Sequence, residues 1–249
     1  YCCYTDAHKV LFDEYFVPSL TNNINVRAYR LDEAGEGDFL SPEFLKTINR
    51  KVELIIDSLD RHRGETILWS DIDILFFEDI ENEIRNLLQE NEWDIAFQSE
   101  GFHTSDVNSG FFAVQCNEHT IDFFKAVQKR MIAEPDKNEQ PIVNELLDEH
   151  PEQLRWGKLP FKFAARSQDW PPVEKSIALY HANCTAGTNA VAQKIEQFVC
   201  LKKNFPYIRH KVCIVTPELE GPRRNSGIGT HVFYFSQYLK KLEGHDITI

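Results

Sequence analysis

Two carboxylates sit inside an otherwise apolar stretch, Ile67-Leu-Trp-Ser-Asp71-Ile-Asp73-Ile-Leu-Phe-Phe77. The apolar runs on either side, Thr66 to Trp69 and Ile74 to Phe77, read as short buried strands. Charges this close to a core are costly unless they are paired or metal-bound. In open α/β sheets ligands bind outside the carboxyl ends of the strands, and Asp71 and Asp73 fall at such an end. Hard oxygen ligands at this spacing suit Mg²⁺ or Mn²⁺, which also hold diphosphates. A turn capped by hydrogen-bonded Asp side chains is the structural alternative. A bare Asp-x-Asp carries little information by itself, so the flanking strands bear the weight of the metal reading.

The rest of the chain fits the same architecture. Tyr1 to Thr5 and Ile24 to Arg30 read as strands around a helix, Ala7 to Leu20, interrupted near Pro18. Ser41-Pro-Glu-Phe is a helix start with Ser as N-cap and Pro at the first turn, and this helix is expected to run to Arg63 and end at Gly64. Further helices are expected over Glu78 to Gln89, Glu118 to Ile132, Glu139 to Glu149 and Ala186 to Lys203. Strands are expected over Trp93 to Gln98, Gly110 to Gln115, Leu154 to Leu159 and Ser176 to His181, with Gly101 to Asn108 polar and irregular. The alternation predicts an α/β fold with a mainly parallel sheet flanked by helices.

Composition narrows the function. With 42% hydrophobic residues and only 11 Gly and 11 Pro in 249, the chain is neither collagen-like nor largely disordered. No apolar run approaches the roughly 20 residues that span a bilayer, so no transmembrane segment is expected. A net charge of −12 argues against nucleic acid as a partner. It still permits an anionic small substrate if a metal ion carries positive charge locally. The six cysteines, with no Cys-x-x-Cys pair, read as buried free thiols in a reducing cytoplasm.

After Asn204 the pattern changes. Residues 206–210 read as a linker, and 211–249 as a β-loop-α-β unit: a strand from Lys211 to Thr216, a Gly-rich loop through Gly227-Ile-Gly229, a helix from His231 to Leu242 and a strand from Asp246 to Ile249. With no initiator Met and a strand at its far end, the chain is expected to be part of a longer one. A first domain of residues 1–205 would then precede the severed start of a second.

The segment Leu68-Trp-Ser-Asp71-Ile-Asp73-Ile-Leu-Phe-Phe77 resembles the Asp-x-Asp signature of nucleotide-diphospho-sugar transferases with the GT-A fold. Val107-Asn108-Ser109-Gly110-Phe111-Phe112 resembles their Asn-small-Gly segment, and Glu139-Gln140 resembles their Asp-Gln helix start. Tyr180-His181-Ala-Asn-Cys184 resembles the late His of glycogenin-like members. The resemblance covers roughly residues 1–200 and implies a GT-A-type mixed sheet with Asp71, Asp73 and His181 as ligands of Mn²⁺ or Mg²⁺. It further implies a nucleotide site at Tyr4, Thr5, Lys51 and Asp71, a sugar site at Ser109, Gly110 and Glu139, and Asp73, Asn108 and Gln140 as the catalytic set. The implied reaction moves a hexose or pentose from a nucleoside-diphosphate sugar, a UDP-sugar by the resemblance, to a glycan or other hydroxyl acceptor with retention. Glu139 departs from the Asp of relatives. An inverting enzyme would need a carboxylate base, for which Glu100, Asp106, Asp136 and Glu139 all qualify by residue type. The tail resembles the opening of a glycogen-synthase-like GT-B glycosyltransferase, which implies a covalently fused second transferase domain.

Other readings are weaker. An Asp-x-Asp phosphatase would carry its motif on the first strand, and a sugar nucleotidyltransferase would want a Gly-rich basic loop where Tyr4-Thr-Asp-Ala-His8 stands. A non-catalytic sugar- or nucleotide-binding domain would be expected to have lost metal ligands, yet all three positions are filled.

Overall fold

The computed structural model describes residues 1–20, 24–32, 41–101, 104–163, 177–183, 185, 188–204, 212–213 and 247–248. The expected linker at 206–210, the Gly-rich loop through 227–229 and the helix at 231–242 lie outside them. The described residues divide into two compact units, Tyr1–Phe198 and Val199–Ile249.

In the first unit, β1 (Cys2–Thr5) leads into a helical segment, α1, built from a 3₁₀ turn (Asp6–His8), an α-turn (Lys9–Leu11), a π-turn (Phe12–Phe16) and an α-turn (Val17–Ser19). Pro18 does not end this segment. Proline lacks an N–H and its ring crowds the preceding turn, and the strain is taken up by one wide turn in which Val17 N–H donates to Phe12 O. There follow β2 (Ala28–Leu31), α2 (Pro42–Arg61), β3 (Thr66–Ser70), β4 (Ile74–Phe76), α3 (Glu81–Glu90), β5 (Ile95–Ser99), β6 (Val107–Gln115), α4 (Glu118–Ala133), α5 (Glu139–Glu149), β7 (Trp156–Lys158), β8 (Leu179–His181) and α6 (Ala190–Asn204). The Ser41 side chain caps α2 by accepting from Phe44 N–H at 3.1 Å. Beyond α2, Gly64 takes a φ of +83°, which favours glycine, and donates to Cys116 O at 2.8 Å.

The sheet is mixed rather than mainly parallel. β1 pairs with β2 and β5 with β7 in parallel, whereas β3 with β6, β5 with β6 and β4 with β8 are antiparallel. Continuous apolar runs report burial on both faces, and β5 is indeed buried throughout, but they carry no information about strand direction. Two hydrogen bonds, Tyr1 N to Leu68 O and Tyr1 O from Ser70 N–H, set β1 beside β3. Helices α2 and α4 pack on this sheet through Val52, Ile55, Leu59, Ile121, Phe124 and Val127.

β6 begins at Val107, three residues before the expected start. The polar stretch is drawn into the strand because Asn144 of α5 grips Val107 at both ends, accepting from its N–H at 2.8 Å and donating to its carbonyl at 3.0 Å. In the second unit, β9 (Val212–Cys213) and β10 (Ile247–Thr248) pair in parallel.

Candidate active site

A cavity of about 450 Å³ opens where β1 and β3 end and β6 begins. Every sequence-derived site residue lines it: Tyr4, Thr5, Lys51, Asp71, Asp73, Asn108, Ser109, Gly110, Glu139, Gln140 and His181. The base candidates divide. Glu100 and Glu139 line the cavity, whereas Asp106 and Asp136 are solvent-exposed and are not part of its wall.

Backbone pairing sets the acidic pair. Asp71 N–H donates to Gly110 O at 2.6 Å, and Ala182 N–H donates to Asp73 O at 2.8 Å. The β4–β8 ladder places Ile74 opposite His181, so the histidine arrives beside Asp73 from more than a hundred residues away. Ligand atoms of Asp71, Asp73 and His181 all lie within 4.8 Å of one another. Asp73 and His181 are buried, at 7% and 4% exposure.

Gly110 makes this convergence sterically feasible. A Cβ there would fall 2.5 Å from His181 Cε1 and 2.8 Å from Asp71 Oδ2. Asp73 Oδ1 is buried, meets no hydrogen-bond donor among the described residues, and lies 3.3 Å from His181 Nε2. Two carboxylates, one of them with an unmet buried oxygen, and one imidazole form a donor set that fits a divalent cation.

Two lysines balance the acids. Lys51 entered the site only through the resemblance, as an otherwise ordinary helix lysine, but it is 3% exposed and bridges Asp71 and Glu139, each at 2.9 Å. Burial alone would lower its pKa, but the two carboxylates outweigh burial and raise it, so it stays charged. Lys194 of α6 binds Asp73 Oδ2. Burial would raise the pKa of Asp73, but the groups facing it, Lys194 foremost, together outweigh burial and hold the carboxyl well below the usual range. Burial raises that of Asp71, with Lys51 opposing.

The amides are held as firmly. Asn108 Oδ1 accepts from Gly110 N–H at 2.8 Å while its amide nitrogen donates to Glu100 at 2.6 Å. Ser109 Oγ donates to Glu139 at 3.0 Å, and Gln140 Oε1 lies 3.4 Å from Ser109 N. On β1, Thr5 is buried and its hydroxyl pairs with His8 Nδ1 at 2.9 Å, while the Tyr4 ring stacks on Phe12 at 4.4 Å. Burial, reinforced by Lys194, lowers the pKa of His8 and keeps it neutral.

His8, Gln98 and Lys194 are the site residues that sequence reasoning missed. Gln98 had a usable signal, as a polar residue closing an apolar strand at the edge that carries the acids. Lys194 had none, being one polar residue on a helix.

The sequence pattern of the nucleotide-diphospho-sugar transferase family matches residues 14–198. The chain belongs to this family. An uncharacterised protein of Arabidopsis thaliana is 26% identical over 158 residues, covering 62% of this chain and 46% of that protein. The chain thus spans about half of that relative's length. Among solved structures, a glycosyltransferase involved in glycosylation of the major capsid of PBCV-1 has a TM-score of 0.55 at 17% identity, over 79% of this chain and 98% of that one. The glycosyltransferase GlyE of Streptococcus pneumoniae has a TM-score of 0.52 at 13% identity, over 99% of this chain and 72% of that one. At such identities the likeness is one of fold, which is GT-A. Among the described residues, no helix is long and apolar enough to cross a membrane.

Proposed function

We propose that residues 1–205 form a metal-dependent glycosyltransferase domain that moves a sugar from a UDP-sugar to a hydroxyl acceptor such as a glycan, with retention. The observation that carries this reading is the meeting of Asp71, Asp73 and His181 at the wall of the cavity. Mn²⁺ or Mg²⁺ held there supplies Lewis-acid neutralisation of the leaving nucleoside diphosphate.

The chain's own groups do the remaining work. Tyr4 and Thr5 seat the nucleotide at the end of β1. Lys51 carries positive charge to the cavity floor, and Ser109, Gly110 and Glu139 frame the sugar. Asn108 and Gln140 present amides to the reacting centre, where an amide oxygen stabilises developing positive charge. Retention is supported by the state of the carboxylates that line the cavity. Asp71, Asp73, Glu100 and Glu139 each already engage a lysine or an amide, which suits them poorly to deprotonating an acceptor.

Residues 211–249 we read as the opening of a fused GT-B-like transferase domain. Parallel pairing of β9 and β10 supports it, since a β-loop-α-β unit requires parallel strands. Cys2, Cys3, Cys116 and Cys200 are free thiols, and burial pushes Cys2 and Cys116 up to about 11 and about 12. The buried thiols of Cys2 and Cys116 support a cytoplasmic setting, whereas Cys200 is exposed, against the expectation that every cysteine is buried.

The test is a thermal-shift panel of nucleotide sugars with and without Mn²⁺, followed by transfer assays. UDP-sugars should stabilise the protein only with metal, and Asp73→Ala should abolish both effects. Undiminished metal-dependent UDP binding by Asp73→Ala would overturn the site assignment. No shift with any nucleotide would favour a non-catalytic module.

A further inference from the structure

His181 has two ring nitrogens, and only a nitrogen without a proton binds a cation. Which one is free depends on what holds the other. His181 Nδ1 lies 2.8 Å from Gln98 Oε1, and Gln98 Nε2 donates to the carbonyl of Phe163 at 2.5 Å. A carbonyl only accepts, so the amide nitrogen of Gln98 must face Phe163 and its oxygen must face His181. That oxygen also only accepts, so Nδ1 carries the proton. Nε2 is left with its lone pair directed at Asp73 Oδ1, 3.3 Å away. Two lone pairs then face each other in a buried space, and a cation between them relieves the repulsion.

The backbone is shaped for this. β5 and β6 lose register between Phe97 and Gln98: Phe97 pairs with Phe112 and Gln98 with Asn108. The skipped residues 109–111 leave β5, and there Gly110 O accepts from Asp71 N–H while Phe111 pairs with Ser70. One irregularity therefore aims Gln98 at His181 and Gly110 at Asp71. Gln98 is 1% exposed, so water does not compete for its amide.

We propose that Gln98 is a positioning residue that fixes the ring tautomer of His181, leaving Nε2 as the cation-binding nitrogen, with the Phe163 carbonyl as the anchor that orients the amide. The proposal rests on the cation reading of Asp71, Asp73 and His181.

The test uses the full chain with ¹⁵N-labelled histidine, at pH 8 and without metal, with His181 assigned by the signal lost in His181→Asn. Wild type should show Nδ1–H with an unprotonated Nε2. Gln98→Met keeps the length but removes both polar atoms, and it should shift the ring toward Nε2–H and weaken Mn²⁺ binding by about 10–100-fold in calorimetry. An Nε2–H tautomer or a doubly protonated ring in wild type would overturn the proposal without any variant having to fold. So would unchanged Mn²⁺ affinity in a folded Gln98→Met protein whose wild type binds Mn²⁺. Failure of wild type to bind Mn²⁺ at all would overturn the cation reading, and this proposal with it.

Discussion

Replacing Gly110 with Ala adds one methyl group where the cation ligands converge. An ideal Cβ at this position falls 2.5 Å from His181 Cε1, 2.8 Å from Asp71 Oδ2 and 2.9 Å from Asn108 Oδ1. Ordinary contacts begin near 3.4 Å, so His181 would have to retreat by about 0.9 Å. It has little room to do so. Its ring is 4% exposed and tied to Gln98, and its backbone is paired with Ile74. Metal–ligand distances tolerate only about 0.2 Å, so a shift of this size removes a ligand from the set. Overpacking of this kind costs about 1–3 kcal/mol. In a domain of this size that lowers Tm by about 2–12 °C. Gly110→Ala should therefore remain folded by circular dichroism and melt a few degrees early. Its Mn²⁺ affinity by calorimetry should fall at least tenfold. Wild-type affinity in a folded Gly110→Ala protein would refute the reasoning, because it would mean the ligands do not crowd this glycine.

Three further outcomes follow from the charges. Lys51→Met strands Asp71 and Glu139 as buried acids and should destabilise by about 3–5 kcal/mol in urea unfolding, with partial recovery on adding Glu139→Gln. Lys194→Met removes the cation that competes for Asp73, so metal affinity without nucleotide should rise by about tenfold, or about 1.4 kcal/mol; unchanged or weaker binding would count against that competition. Asp94 tests acid stability away from the site. Burial would raise its pKa, but Arg155 and Asn117 outweigh burial and lower it. A depressed carboxyl contributes stability above its unfolded pKa of about 3.9 and loses it as pH falls through the folded value. Asp94→Asn should thus be less stable than wild type at pH 7, and the gap in urea midpoints should narrow below about pH 4.

Much of the site was legible because its residue types are incongruous where they stand. Asp71 and Asp73 between apolar strands, and His181 at the end of another, are polar groups in positions that burial disfavours. Lys51 was legible only through resemblance, since a lysine on an amphipathic helix is ordinarily solvated and nothing local marks this one as 3% exposed. The start of β6 was hidden because polar residues such as Asn108 and Ser109 join a strand only when Asn144 satisfies the neighbouring backbone. Pro18 was readable as an interruption, but not as a wide turn in a continuing helical segment.

By itself the sequence determined which segments become helices and strands, which faces are buried, and where two acids meet a strand end. These follow from periodicity, capping and desolvation, which act over a few residues. Tertiary structure decided the direction of each strand and the partner of each charge. The decisive contacts join residues far apart in the chain: Lys51 to Glu139 across 88 positions, Gln98 to His181 across 83, and Asp73 to Lys194 across 121. No local pattern encodes such pairings, because each is selected by the packing of the sheet and helices that bring the two residues together.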